Sequence, residues 1–208
     1  EVSTIYIYGD QSFMRYFVSI GSVNKDQVDS NYQGNMLLAT EDAAHQGFAT
    51  SEPYKYSVLE SGAITTGYEF IHDAGWTSYP QSLTIRKDRL DEFRPCLAKI
   101  VPMMQQAEID YIAAPDRANA IIIATTNAYD SWWTQSEGDT SNSARTQKEF
   151  GLIGNGDTPQ FGDFEEARVS DFIAKALPIY REQGLDVVDV LPSDITTNEF
   201  IAKITYNG

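Results

Sequence analysis

The sequence predicts an α/β fold, and three observations carry that expectation. Over residues 1 to about 87, β-branched and aromatic runs alternate with apolar residues at helical spacing. Glycine and aspartate stand where one pattern gives way to the next. After Asp88 the character changes, and helix-patterned stretches follow with almost no strand signal.

Taken in order, residues 4–8 (TIYIY) read as a strand that stops at Gly9 and Asp10. The next stretch places Phe13, Met14, Phe17 and Ile20 on one helical face before Gly21. Residues 35–47 (NMLLATEDAAHQG) read as a second helix closed by Gly47, which makes His45 a surface residue of a helix. Residues 47–56 (GFATSEPYKY) read as a buried strand entering a polar elbow fixed at Pro53. Residues 65–75 (TTGYEFIHDAG) and 82–88 (SLTIRKD) carry the Tyr, Phe, Ile and Thr content of strands, so a sheet with some parallel pairing is expected.

Asp88 caps the next helix, which holds Leu90, Phe93, Leu97, Ile100, Val101 and Met104. Pro95 and Pro102 each remove a backbone donor, so two helices or one kinked helix are both consistent with the pattern. Another helix begins near Asp116. A further one has Asp163 and Glu166 at capping-box spacing, Val169, Phe172, Ile173, Ala176, Leu177 and Tyr180 along one face, and Gly184 as terminator. Between these two, residues 134–162 are rich in Gly, Ser, Thr and Asn and read as a long loop. These helices call for a sheet to cover, unless they pack on one another.

Composition narrows the function. Across 208 residues, 15 Lys and Arg stand against 30 Asp and Glu, a net charge of −15. A grip on phosphate backbones needs clustered basic residues, so nucleic acid is not an expected partner. Anionic membranes are disfavoured for the same reason, and no apolar run reaches the ~18 residues that would cross a bilayer. The single cysteine, Cys96, allows no internal disulfide and no thiolate metal site. Nucleophile-elbow, phosphate-loop and dinucleotide-binding patterns in their required strand-to-helix context are missing; GLIGNGD has the glycines without the flanking elements. His72 and Asp73 are adjacent and point to opposite faces if extended, which makes a concerted proton-transfer dyad unlikely as a design.

The segments GFATSEPYKY, YEFIHDAG, the run from YPQSLTIRKD to IDYIAAP, WWTQSEG, GLIGNGD, FEEARV and DITTNEFI, in that order, resemble solute-binding proteins of ABC importers. The nearest branch is the one related to the thiamine-pyrimidine-precursor, nitrate, sulfonate and taurine binders, with the type II periplasmic-binding-protein fold. The resemblance implies two α/β lobes closing on a small molecule. It places residues 1–80 in the second lobe, and residues 81–208 in the hinge return and the carboxy-terminal helical part of the first. The family's amino-terminal strands have no counterpart here, so the chain is expected to be one α/β lobe plus the helical part of another. A chain that begins at Glu1 is expected to be a processed or truncated product if exported.

The function implied is the solute-binding component of an ABC importer, capturing a small solute in an interlobe cleft and delivering it to the membrane permease. The partners implied are the solute and that permease, with membrane contact only through the transporter, at a periplasmic or cell-surface location in a bacterium. No cofactor and no metal are implied. The alternatives are an enzyme related to the pyrimidine-precursor synthases, whose cysteine-rich motif has no equivalent here, and the ligand-sensing domain of a receptor.

Ligands of open α/β sheets sit beyond the carboxyl ends of the strands, and the resemblance puts the elbow there. Thr50, Ser51 and Glu52 are then pocket groups aimed by Pro53; the alternative is that Ser51 and Glu52 start a helix, for which S-E-P is well suited. At Gly9, Asp10 and Ser12 a helix start follows a strand, a place that binds anions or is simply capped by Asp10 and Ser12. Trp76 and Tyr79 are candidates for stacking on a flat ligand, against the plain alternative of core packing. Trp132 and Trp133 stand at a helix end, one of them expected to pack. Carboxylates at Glu52 and Asp10 would repel nitrate or a sulfonate and accept N–H donors, which points to an amine-bearing or heterocyclic solute.

Overall fold

The computed structural model describes residues 2–32, 42–129 and 133–206. The chain is mixed α/β, mostly helical, with a small three-stranded parallel sheet. It divides into two compact units, each built from three chain segments: Glu1–Gly47, Glu69–Tyr79 and Glu166–Ile195 in the first; Phe48–Tyr68, Pro80–Glu165 and Thr196–Gly208 in the second.

In the first unit, β1 (Thr4–Tyr6) lies between β2 (Val28–Asp29) and β3 (Ala43–His45). Both pairings are parallel, with Ile5 opposite Val28 on one side and Ala44 on the other. Helix α1 (Ser12–Ser19) follows β1, as the spacing of Phe13, Met14 and Phe17 requires. It ends at Gly21, whose φ of +74° is the left-handed conformation that glycine adopts without strain. There Gly21 N–H donates to Val18 C=O and Ser22 N–H to Phe17 C=O, the paired bonds of a Schellman end. Met14 and Phe17 are buried as expected, whereas Ile20 lies beyond the last turn and is exposed.

Helix α6 (Glu166–Glu182) closes this unit and ends in the same way, with Gly184 N–H on Arg181 C=O and Leu185 N–H on Tyr180 C=O. The core gathers Phe17, Trp76, Ala176 and Ile179, with Phe13, Tyr16, Val23, Ile71, Phe172 and Tyr180 around them. Asp163 does not pair with Glu166 as a capping box; its carboxylate accepts from the Thr158 hydroxyl at 2.9 Å, in the second unit. Helix α7 (Pro192–Ile195) is a single turn.

The second unit holds α2 (Glu52–Ser57), α3 (Leu90–Ala113), α4 (Asp116–Ala128) and α5 (Glu137–Glu149). Helix α3 runs unbroken through Pro95 and Pro102, burying Leu97, Gln105 and Ile112 on one face. Asp88 lies in the 3-10 turn Lys87–Arg89 ahead of it, so the capping expected of Asp88 is replaced by Arg89 at the N-cap.

Four further expectations are corrected. Residues 43–45 form a strand where a helix was expected; pairing with β1 overrides the helical leaning of Ala-Ala-His. The remainder of that expected helix, residues 35–41, lies outside the described residues. The strand expected at the start of 47–56 is absent: the chain leaves the sheet at His45, turns at Ala49–Thr50 and enters α2 at Glu52. Residues 65–75 and 82–86 form turns and coil, and Lys87 and Asp88 enter the 3-10 turn, because the β-favouring side chains find no ladder partner among the described residues. The loop expected over 134–162 contains α5. A capping box starts that helix, Ser136 Oγ accepting from Asp139 N–H at 3.1 Å and Asp139 accepting from Ser136 N–H at 2.9 Å. Its polar sequence disguised it: it buries the small residues Thr140, Ala144 and Thr146, not a large apolar stripe.

Side-chain amides hold the irregular carboxy-terminal segment in place. Gln105 is 5% exposed; its Nε2 donates to Phe161 C=O at 2.7 Å and its Oε1 accepts from Ala202 N–H at 2.7 Å. Asn155 pairs with both backbone groups of Tyr206. Gln160 donates to the carbonyls of Ala202 and Ile204.

Candidate functional site

At the carboxyl end of the sheet, β1 leads to Tyr8, Gly9 and Asp10, β2 to Tyr32, and β3 to Gln46. Tyr8 and Tyr32 have ring centroids 4.8 Å apart, and Tyr32 stands 5.3 Å from the His45 ring. The Tyr32 hydroxyl is 3.3 Å from His45 Nδ1, so His45 belongs to this cluster and is not the surface helical residue expected. Several backbone groups here are paired within the chain. Gly9 N–H donates to Ser30 C=O, Tyr8 N–H to Gln46 Oε1, and Gln11 Nε2 to Tyr8 C=O.

Asp10 and Ser12 neither cap α1 nor face open space as free acceptors. The N-cap is Gln11, without a side-chain cap bond. Asp10 instead receives a two-point pair from Arg15, Nε at 2.6 Å and Nη2 at 2.5 Å. Those hydrogen bonds hold the Asp10 carboxyl below its ordinary range. Ser12 donates to Gln183 Oε1 at 3.3 Å.

Trp76 is 7% exposed, edge-on to Phe172 at 5.0 Å and beside Tyr16 at 5.5 Å, so it is a core residue in this structure. One face of Tyr79 is covered by the Arg168 guanidinium, 3.9 Å from the ring centroid. Arg168 also donates to the carbonyls of Thr77 and Ser78 and approaches His72 Nδ1 at 3.3 Å, so His72 meets an arginine where sequence order offered Asp73. Trp133 is exposed, and Trp132 lies outside the described residues.

Thr50, Ser51 and Glu52 belong to the second unit, whereas Gly9, Asp10, Ser12, Trp76 and Tyr79 belong to the first. The elbow does start a helix, with Ser51 at the N-cap and Pro53 in the first turn. Glu52 Oε2 accepts from Phe48 N–H at 2.6 Å, and Thr50 C=O accepts from Asn142 Nδ2 at 3.2 Å. Glu52 thus holds its own turn, and Thr50 ties the turn to α5.

Beside that elbow, between α2 and α5, is a recess of about 280 Å³. Ala49, Pro53, Tyr54 and Ser57 line one side; Asn142, Arg145, Thr146, Glu149 and Phe150 line the other, with Tyr68 beside them. The elbow thus borders the recess through Ala49 and Pro53, while Thr50, Ser51 and Glu52 do not line it. Tyr68 and Phe150 meet edge-on at 6.1 Å. Arg145 spans two neighbours, Nη1 to Glu149 Oε2 and Nη2 to Asn142 Oδ1, both at 2.7 Å. Aromatic side chains and a few polar groups thus border the same recess.

Sequence inspection missed Arg145, Asn142 and Glu149 because their helix was read as loop. The Ser136-to-Asp139 capping spacing, followed by Arg and Glu four residues apart, was the signal that could have found them. Among the described residues, no cluster of three His, Cys, Asp or Glu side chains could hold a metal ion, and no helix is long and apolar enough to cross a membrane. The chain matches no family model and no curated protein.

Proposed function

We propose that this chain is the solute-binding component of an ABC importer, of the type II periplasmic-binding-protein kind, taking up a small amine-bearing or heterocyclic solute for a membrane permease. The order of the segments that resemble that family supports the proposal, as does the parallel pairing of the small sheet. The observation that carries it is the recess of about 280 Å³ at the elbow, close to the lower end of the ~300–1,000 Å³ usual for small-molecule sites. Tyr54, Tyr68 and Phe150 border it, and its carboxylate, amide and hydroxyl oxygens are of the kind that accept N–H donors.

Asp10 is neutralised by Arg15, and Glu52 is bound to its own turn. In the recess Glu149 and Asn142 Oδ1 are likewise bound by Arg145, so an N–H donor there meets the Ser57 hydroxyl oxygen or takes Glu149 in exchange for its arginine. A thermal-shift screen of the intact protein tests the reading, with amines, aminopyrimidines, sulfonates and nitrate as probes. Stabilisation by amines or aminopyrimidines is expected. Stabilisation by sulfonates or nitrate alone overturns the solute class, and stabilisation by none overturns solute capture.

A further inference from the structure

We propose that Asn155 is a self-modification site: its amide is guarded by a two-point clasp with Tyr206, is lost as ammonia from the open state of that clasp, and leaves a product that cannot close it again. The residue sits in the glycine-rich run GLIGNGD, residues 151–157, whose glycines lack the flanking elements of a phosphate loop. The chemistry of that run is a different one.

An asparagine followed by glycine is the dipeptide in which the next backbone nitrogen most readily reaches the side-chain amide, because glycine has no side chain to block the approach. The chain carries such steps at 155–156 and 207–208, and the second lies outside the described residues. Gly156 belongs to no helix or strand and has a φ of +69°, and a Cβ built on it would meet nothing within 4 Å. Its N–H makes no hydrogen bond among the described residues, so the attacking nitrogen is unencumbered. Against the attack stands the clasp. Asn155 Nδ2 donates to Tyr206 C=O at 2.9 Å, and Tyr206 N–H donates to Asn155 Oδ1 at 2.8 Å. A side chain held at both ends is not free to swing its carbon onto the nitrogen of residue 156.

In the open state the Gly156 nitrogen attacks Asn155 Cγ. The N–Cγ bond forms as the Cγ–Nδ2 bond breaks, and the proton of the attacking nitrogen passes through solvent to Nδ2, which departs as ammonia. The five-membered succinimide then takes up water at one of its two carbonyls and reopens as aspartate or isoaspartate. Amide and water thus become acid and ammonia, and no oxidant or reductant is consumed. The change is one-way because a carboxylate only accepts: it still receives Tyr206 N–H, but it turns a second acceptor toward Tyr206 C=O. Isoaspartate also lengthens the main chain by a methylene. One of the amides that stitch residues 202–206 to the second unit is then lost, beside those of Gln105 and Gln160.

The test incubates the full chain in mildly alkaline buffer and follows Asn155 by peptide mapping, which separates it from Asn207, with isoaspartate detected by enzymatic methylation. The free peptide IGNGDT sets the unguarded rate. The folded chain is expected to convert Asn155 about tenfold or more slowly than the peptide, and Tyr206→Pro, which removes the donating N–H, should return the rate close to the peptide's. Asn155→Asp, which carries the product's charge, should give faster hydrogen exchange at the Tyr206 amide. Melting temperatures check that both variants fold. A parent that converts as fast as the peptide, or a Tyr206→Pro chain that converts no faster than the parent, overturns the guard. Unchanged protection of the Tyr206 amide in Asn155→Asp overturns the one-way release. An Asn155 that keeps its amide in both the parent and Tyr206→Pro overturns the modification itself.

Discussion

The phenol oxygen of Tyr54 lies so close to Gly138 that a Cβ built at position 138 would stand 1.9 Å from it and 2.8 Å from the ring carbon bearing it. The tip of Tyr54 from α2 occupies the space that a side chain at position 138 of α5 would need.

Gly138→Ala sets two effects against each other. Alanine in place of a helical glycine gains up to about 1 kcal/mol of propensity. A rigid ring pushed from its place costs about 1–3 kcal/mol. The clash should win, giving a net loss of about 1–2 kcal/mol in urea unfolding and displacing Tyr54 from the recess wall. In a Tyr54→Ala background the same substitution should turn neutral or stabilising. Equal effects in both backgrounds would show that the tyrosine is not what requires glycine.

Gln105 is a polar residue used as an internal staple. Leucine matches its size but leaves the Phe161 carbonyl and the Ala202 N–H without their partner. A buried orphan group costs about 1–3 kcal/mol, so Gln105→Leu should lose about 2–4 kcal/mol, with faster hydrogen exchange at the Ala202 amide. Retention of both stability and protection would mean that water replaces the side chain.

Glu52→Ala separates the two roles the sequence offered. A pocket residue would lose affinity and spare ligand-free stability. The bond from Phe48 N–H predicts the reverse: a ligand-free loss of about 0.5–1.5 kcal/mol, read by thermal melting, with solute affinity nearly unchanged.

What the sequence revealed and hid divides along physical lines. Helices α1 and α6 announced themselves through apolar periodicity and a glycine just past their ends, and α4 through Asp116 at its start. The stretch over residues 65–75 misled because β propensity expresses packing on a neighbouring strand, which this segment does not find. Helix α5 was hidden by the opposite fault, since small polar residues can pack without leaving a hydrophobic signature. The segment around Pro53 borders the recess as the start of a helix and not as the end of a strand, and the other side is lined by residues about 90 positions later, a juxtaposition only the folded chain contains. Trp76 illustrates a different limit: an aromatic next to a turn reads equally well as ligand platform or core, and Phe172 on α6 decides for the core.

Acid should unfold the first unit by a traceable route. Asp171 on α6 accepts from Lys175 at 2.5 Å and from the Thr77 hydroxyl at 2.8 Å, and these bonds hold its carboxyl below the ordinary 3.8. A carboxyl with a depressed folded value stabilises fully above its unfolded value, and the contribution is lost as pH falls from there through the folded one. Asp10, held down by Arg15, acts with the same sign in the same unit. Unfolding free energy measured from pH 7 down to pH 2 should therefore decline below about pH 4. Asp171→Asn should be less stable than the parent at pH 7 and should flatten that decline. An acid limb that Asp171→Asn leaves unaltered would show that the link from α6 to the Thr77 turn carries no part of the acid sensitivity.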